Sequence, residues 1–188
     1  MAPSTGFWAD QNLEPKRSFR FLLDIGGTNT AERIASYHVK TAKVPTFQME
    51  STVEVKYIQH TFKYPGRVKW QPIQVTIIDP ATPDSSAILM NIMSEAGYVV
   101  PTDPAAAQES LSKAKSNAAL GTVYLRQIGA EEGELLTEWK LTNAFMTNVD
   151  FGQMSYDSDE LVNYTIDIDY DYATLRSATT KVIKRVGH

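Results

Sequence analysis

The feature that most constrains the fold is a run of period two near the carboxyl end of the chain. From Val162 to Asp171, apolar and polar side chains alternate without interruption, and successive side chains of a β-strand point to opposite faces of its sheet. We therefore predict a strand with one buried face and one wet, acidic face. The polar members are Asn163, Thr165, Asp167, Asp169 and Asp171.

Other segments predict further strands by the same periodicity and by the turn residues that bound them. After Gly121 the period of two returns, and a glutamate-rich turn at 131–134 joins two of these segments. The predicted strands are Arg17 to Ile25 with Phe19, Phe21 and Leu23 on one face, ended by Gly26-Gly27; Ile34 to Val39; Val53 to Tyr64, ended by Pro65-Gly66; Ile73 to Ile77; Val123 to Leu125; and Glu138 to Leu141.

A single helix is predicted firmly. Asp84 or Ser85 can cap its start and Gly97 can stop it, while Ile88, Leu89, Ile92, Met93 and Ala96 fall on one face. Residues 105–117 bury little beyond Leu111 and alanines, which indicates a short or frayed helix. The fold class that follows is mainly β, an antiparallel β-sandwich or barrel with one flanking α-helix.

The length of 188 residues and the 43% hydrophobic content fit one domain. We expect an N-terminal arm over residues 1–16, a β-sandwich domain over 17–173 and a basic C-terminal tail over 174–188. Phe7 and Trp8 lie in the arm, which otherwise shows no periodicity. Large aromatics outside a core are either unanchored or dock on another subunit, and we favour docking.

The net charge of −4 conceals a segregation along the chain. Residues 131–171 carry 1 Lys or Arg against 11 Asp or Glu, whereas residues 1–130 carry 13 against 11 and residues 172–188 carry 4 against 0. Phosphate binding depends on basic side chains that release counterions. A surface built from residues 131–171 would therefore repel nucleic acid, which argues against a dedicated DNA-binding protein.

The chain is short of parts for catalysis or metal binding. It has no cysteine, and its three histidines are His38, His60 and His188, so thiolate zinc sites and cysteine nucleophiles are excluded. No second ligand lies at metal-ligand spacing around His60, which indicates an ordinary strand histidine. We expect no enzyme activity and no cofactor. No apolar run reaches the roughly 20 residues of a membrane span, and no signal-peptide pattern is present, so we expect a soluble protein made in the cytoplasm.

A local motif favours a different function. Residues 22–30, Leu-Leu-Asp-Ile-Gly-Gly-Thr-Asn-Thr, resemble the first phosphate-binding loop of sugar kinases with the actin-like fold. That chemistry needs a second phosphate loop, an adenosine loop and a later catalytic aspartate in a two-lobed chain about twice as long, and the sequence has none of these. We expect Gly26-Gly27 to be a hairpin turn with Asp24 and Asn29 as turn residues; a nucleotide-binding fragment is the remote alternative.

A second motif carries a more extensive resemblance. Residues 60–70, His-Thr-Phe-Lys-Tyr-Pro-Gly-Arg-Val-Lys-Trp, are followed by the strand from Ile73 and by Asp79-Pro80. This segment resembles one typical of the tail-tube proteins of contractile-tailed bacteriophages, a family related to lambda-type tail tubes and to the tube protein of type VI secretion. Similar blocks follow in the same order from about residue 7 to residue 173, among them residues 139–145 and 156–161.

The resemblance implies a structural virion protein that forms hexameric rings with a continuous inner β-barrel. The rings stack into a tube that conducts DNA inside a contractile sheath. Implied partners are further copies of the chain, the sheath, the tape-measure protein, the baseplate hub or tube initiator, the tail terminator, and genomic DNA that passes without specific binding. The location implied is the virion tail. A tube initiator, baseplate ring or secretion-system tube is the alternative.

Two sets of residues are predicted to act in such an assembly. The channel would be lined by the polar row of the alternating strand, because family channels are acidic and such a row needs no protein partner in water. The predicted channel residues are Asn163, Thr165, Asp167, Asp169 and Asp171. The predicted inter-subunit residues are Phe7, Trp8, Tyr64, Arg67 and Trp70.

Overall fold

The computed structural model describes residues 16–26, 38–50, 53–100, 110–129, 134–157 and 159–177. Within these ranges the chain forms twelve strands and two helices. The strands are β1 (Phe21–Gly26), β2 (Val39–Ala42), β3 (Thr46–Met49), β4 (Val53–Tyr57), β5 (His60–Tyr64), β6 (Val68–Gln71), β7 (Ile73–Ile78), β8 (Thr122–Ile128), β9 (Leu135–Thr142), β10 (Phe145–Asp150), β11 (Asn163–Asp169) and β12 (Tyr172–Ser177). The helices are α1 (Ser85–Glu95) and α2 (Lys113–Leu120).

Two four-stranded antiparallel sheets enclose the core. Sheet I has the strand order β1-β8-β9-β12, and sheet II has the order β10-β11-β7-β2. Their facing sides bury the largest apolar side chains, among them Leu23 and Leu141 from sheet I and Val75 and Ile166 from sheet II. The remaining strands pair as β3 with β6 and β4 with β5. The prediction of a mainly β, antiparallel fold is confirmed.

Strand β11 lies in the middle of sheet II and follows the predicted alternation. Tyr164, Ile166 and Ile168 are buried, and the residues between them are half-buried. The strand pairs with β7 on one side, where Ile166 opposes Val75, and with β10 on the other. Because both neighbours are in place, only the polar face of β11 is open to solvent.

Helix α1 begins and ends at the predicted residues. The Asp84 carboxylate accepts hydrogen bonds from the backbone N–H groups of Ser86 and Ala87 at 2.9 and 3.3 Å, which satisfies two unpaired donors of the first turn. The Ser86 hydroxyl also donates to this carboxylate, at 2.6 Å. That bond, together with the two backbone bonds, lowers the pKa of Asp84. Gly97 ends the helix with φ +104, where a side chain would come within 2.8 Å of the Ser110 carbonyl oxygen.

Helix α2 is a second, short helix, and it overlaps the end of residues 105–117, for which a short or frayed helix is predicted. Ser112 caps it through the backbone N–H of Lys115, and Gly121 follows its last residue. Among its residues only Ala119 and Leu120 are buried. A helix that buries only its last two residues has no apolar stripe along its length, so the sequence periodicity does not reveal it.

Several strand boundaries differ from the predictions. The first strand starts at Phe21 rather than Arg17, and Phe19 is exposed. Strand β12 continues to Ser177, four residues past the predicted end of the domain, and it pairs with β9 throughout. Residues 34–37, assigned to a second strand, lie outside the described residues; the strand that is described, β2, begins at Val39. No helix in the described ranges is long and apolar enough to cross a membrane.

Candidate functional site

The most distinctive feature is a two-stranded ribbon formed by residues 46–50 and 53–71. It has two paired parts, β3 with β6 and β4 with β5. Thr46 opposes Gln71 at its base and Tyr57 opposes His60 at its tip, with the same register in both parts. The backbone N–H of Glu50 donates to the Arg67 carbonyl at 2.7 Å and extends the inner part. We call the two paired parts together the ribbon.

The prediction of a single strand from Val53 to Tyr64, turned by Pro65-Gly66, is therefore wrong. The chain reverses at Ile58 and Gln59, and Ile58 adopts φ +54. Neither residue is a typical turn former, and a β-branched residue rarely adopts positive φ. Pro65 and Gly66 instead lie between β5 and β6, along the returning arm of the ribbon.

The ribbon has one apolar face and one polar face. On one side of the outer half, Val55 opposes Phe62 and Val53 opposes Tyr64, and every residue of these two strands is exposed. The other side carries a Glu54–Lys63 pair at 3.5 Å. Tyr64 is 55% exposed. Arg67 is also exposed, in the segment that leads to β6. An isolated two-stranded hairpin is at best marginally stable in water, so this bare apolar face is suited to a partner.

Trp70 lies at the base of the same apolar face, where the ribbon meets the sandwich. Its ring packs against Phe47 at a centroid distance of 5.4 Å and against Tyr170 at 5.9 Å. Tyr170 is buried, which raises its pKa to about 12, and its hydroxyl has no hydrogen-bond partner among the described residues. Trp70 therefore anchors the ribbon to its own subunit. The sequence predicted Trp70 only as an inter-subunit residue and did not reveal this contact.

The outer side of sheet II forms a second candidate surface, which we call the polar face. Four of the five predicted channel residues, Asn163 to Asp169 at alternate positions, lie on β11 and share this side. The Asp167 carboxylate accepts hydrogen bonds from Gln74 on β7 and from Asn148 on β10, both at 3.1 Å. The surface is therefore a continuous polar layer across three strands rather than a row of separate carboxylates.

Asp171 does not continue this row. It lies beyond the end of β11, and its carboxylate pairs with Lys113 of α2 at 2.6 Å. The Asn143 side chain also donates to it at 2.6 Å, and Asn117 donates to Asn143 at 3.1 Å. The Lys113 bond, with the Asn143 bond, lowers the pKa of Asp171. The prediction that strand alternation places Asp171 with Asp167 is wrong, because the strand ends two residues earlier and α2 supplies a partner.

The outer side of sheet I differs in its charges. Arg126 donates to Glu138 at 2.8 Å and lies 3.5 Å from Asp24, and the Glu138 bond raises the pKa of Arg126. The guanidinium also sits 4.9 Å from the Tyr124 ring centroid. We call these four side chains the charged face.

Asp24 belongs to the kinase-like motif, and in the structure it takes part in the ion pair with Arg126. Residues 27–30 of that motif lie outside the described residues. Phe7 and Trp8, predicted to lie between subunits, also lie outside them.

No protein-family model matches the chain, and no curated protein sequence matches it. Solved structures do match. One is described as an extracellular contractile injection system, PVC sheath/tube terminator in extended state (TM-score 0.65, 15% identity, 88% of this chain and 99% of that chain). A second is the PVC sheath-tube complex in extended state (0.63, 16%, 93% and 100%). A third is the anti-feeding prophage baseplate, 6-fold symmetrised (0.63, 13%, 89% and 99%).

At these identities the likeness shows the fold: the chain has the fold found in components of contractile injection systems. It spans nearly the full length of each matched chain. The structural neighbours support the sequence resemblance to contractile tail-tube proteins. In the described ranges no group of His, Asp or Glu side chains is placed to hold a metal ion.

Proposed function

We propose that the chain is a non-enzymatic tube subunit of a contractile tail, whose six-fold rings stack into an inner tube within a sheath. The observation that carries this proposal is the fold match over 88–93% of the chain to contractile injection system components. One matched structure is a 6-fold symmetrised baseplate, which supports the ring symmetry. Sheath and baseplate are accordingly the proposed partners, with a tape-measure protein and a tail terminator.

The sheet edges support ring formation. In the described sheets, β1 and β12 border sheet I, and β10 and β2 border sheet II, each with a neighbour on one side only. Open edges promote uncontrolled pairing unless they are covered. Pairing with identical neighbours around a closed ring removes the edges of all subunits at once. The ribbon adds an apolar surface that a neighbouring copy would cover, with Tyr64 near its centre.

The polar face of sheet II is the better candidate for the channel wall. It presents mostly short neutral and acidic side chains, with the Lys40 ammonium 3.5 Å from Asn163, whereas the outer side of sheet I presents Lys140 over the Tyr124 ring beside the paired Arg126. A wall with few exchangeable cations gives passing DNA little counterion-release gain. Asp167 and Asp169 would supply the charge, while Asp171 would stabilise the position of α2. DNA conduction in a phage virion is the proposed use of this channel.

Electron microscopy and light scattering test this proposal. Purified full-length chain should form hexameric rings or open-ended tubes as its concentration rises, and tubes several rings long distinguish a tube body from an initiator or terminator. A species that remains monomeric over a wide concentration range contradicts the proposal. Rings that never stack favour the alternative of a tube-end or baseplate component.

A further inference from the structure

A second surface feature is an apolar cleft of about 920 Å³ between sheet I and strand β2. This volume lies within the roughly 300–1,000 Å³ of typical ligand pockets. Leu125, Trp139 and Leu175 form one cross-strand row of its floor, and exposure rises along the row from 6% at Leu125 to 46% at Leu175. The other apolar residues of the lining are Phe19, Phe21, Val39, Ala42 and Val44. The described residues therefore leave the sandwich open at this end.

Among the described residues, the charged ones that line the cleft are all basic: Lys16, Lys40 and Arg126. Arg126 is already paired with Glu138. The Lys16 ammonium donates to the Thr137 hydroxyl, and the Lys40 ammonium lies 3.5 Å from the Asn163 side-chain oxygen. Among the described residues, the salt bridges include neither lysine. An occupant with aromatic and acidic side chains would match both properties of the cleft.

Within the chain, one segment outside the described ranges combines aromatic and acidic residues with no basic residue. Residues 1–15 contain Phe7 and Trp8 with Asp10 and Glu14, and they contain no Lys or Arg. Residues 178–188 contain three Lys or Arg, no acidic residue and no aromatic residue, so the basic rim would repel them. Charge and apolar character therefore select the N-terminal segment over the C-terminal one.

We infer that this cleft receives the N-terminal segment of a second copy, with Phe7 and Trp8 in the apolar floor and Asp10 and Glu14 beside Lys16 at the rim. The inference rests on the proposed tube function, which brings copies together. Eight residues from Lys16 to Trp8 span up to about 28 Å, enough to reach a neighbour.

Cysteine cross-linking tests the contact directly, because the chain contains no cysteine of its own. Full-length Ala9→Cys, next to Trp8, is mixed with full-length Ala42→Cys, and the mixture is oxidised. Ala42 lines the cleft and opposes the buried Val75, so its side chain lies on the core side of β2. The matched control receiver is Thr174→Cys, an exposed strand residue beside Leu175 that points to the opposite side of sheet I. Heterodimers are identified by mass spectrometry.

We expect the Ala9–Ala42 heterodimer to exceed the Ala9–Thr174 heterodimer by about tenfold, and to fall by about tenfold when Trp8→Ser is added, as for an interface hot spot. Equal yields with both receivers, or no heterodimer, overturn the inference. A chain carrying both Ala9→Cys and Ala42→Cys that closes only within itself at every concentration places the segment in its own cleft and also overturns it.

The same samples are inspected by negative-stain microscopy, which separates the two proposals. Tubes without the specific heterodimer leave the tube function standing and reject the cleft contact. A specific heterodimer without rings or tubes supports the cleft contact and contradicts the tube function. Cross-linking needs only contact between two copies, so it gives an answer in either case.

Discussion

Trp70 and Tyr64 lie on the same apolar face of the ribbon, yet the structure predicts opposite effects for their replacement. When a Trp or Phe side chain is fully buried, its replacement by Ala lowers the free energy of unfolding by about 3–5 kcal/mol. Trp70 is only half-buried but contacts two aromatic rings, so we expect Trp70→Ala to lower the free energy of unfolding by about 2–3 kcal/mol. For a chain of this size that corresponds to a fall in Tm of about 4–12 °C.

Tyr64→Ala should leave the free energy of unfolding within about 0.5 kcal/mol, because Tyr64 is 55% exposed and lies away from the core. Its loss should instead raise the concentration needed for assembly, by roughly thirtyfold if Tyr64 is an interface hot spot worth about 2 kcal/mol. Trp70→Phe is the matched control and should recover most of the lost stability.

Urea unfolding followed by circular dichroism measures the first effect, and concentration-dependent light scattering measures the second. Urea curves are compared at concentrations below assembly, with unchanged m-values as evidence that both states keep their compactness. If Trp70→Ala costs less than about 1 kcal/mol, or if Tyr64→Ala costs as much as Trp70→Ala, the division of the ribbon into an anchored base and a free outer half is refuted.

Three further predictions follow from named contacts. The Tyr164 hydroxyl donates to Asp79 at 2.7 Å, so Tyr164→Phe should cost about 1.5–3 kcal/mol. Tyr170→Phe removes a hydroxyl that has no hydrogen-bond partner among the described residues, so it should be neutral or stabilising in the same urea experiment. The Asp79 bond raises the pKa of Tyr164 to about 12. Its contribution to stability is therefore complete below pH about 10 and is lost as the pH rises through 12. If Tyr164→Phe loses stability over this pH range as steeply as wild type, this prediction is wrong. Asp167→Lys with Asp169→Lys should preserve the fold, slow DNA ejection and produce salt-sensitive DNA binding by tubes in filter-binding assays, and salt-independent binding would argue against a channel position.

Local chemistry made part of the structure predictable from the sequence. Strand β11 could be predicted from the alternation of its side chains alone. The ends of α1 could be predicted because a helix start favours a capping carboxylate, here Asp84, and a helix end favours a glycine with positive φ, here Gly97. The antiparallel β class followed from such segments. Each signal involves residues within a few positions of one another, so no knowledge of distant contacts was required.

Only the tertiary structure decided which segments meet. The ribbon reverses at Ile58-Gln59, where no turn residue marks it, because the register of its two long arms places the reversal there. Asp171 left the predicted polar row because Lys113, far away in sequence, lies 2.6 Å from it. Trp70 and Tyr64 have the same parity on one arm, but only Trp70 lies where the arm passes over Tyr170. Period and composition describe which side of a strand a residue occupies; what covers that side depends on the packing of the whole chain.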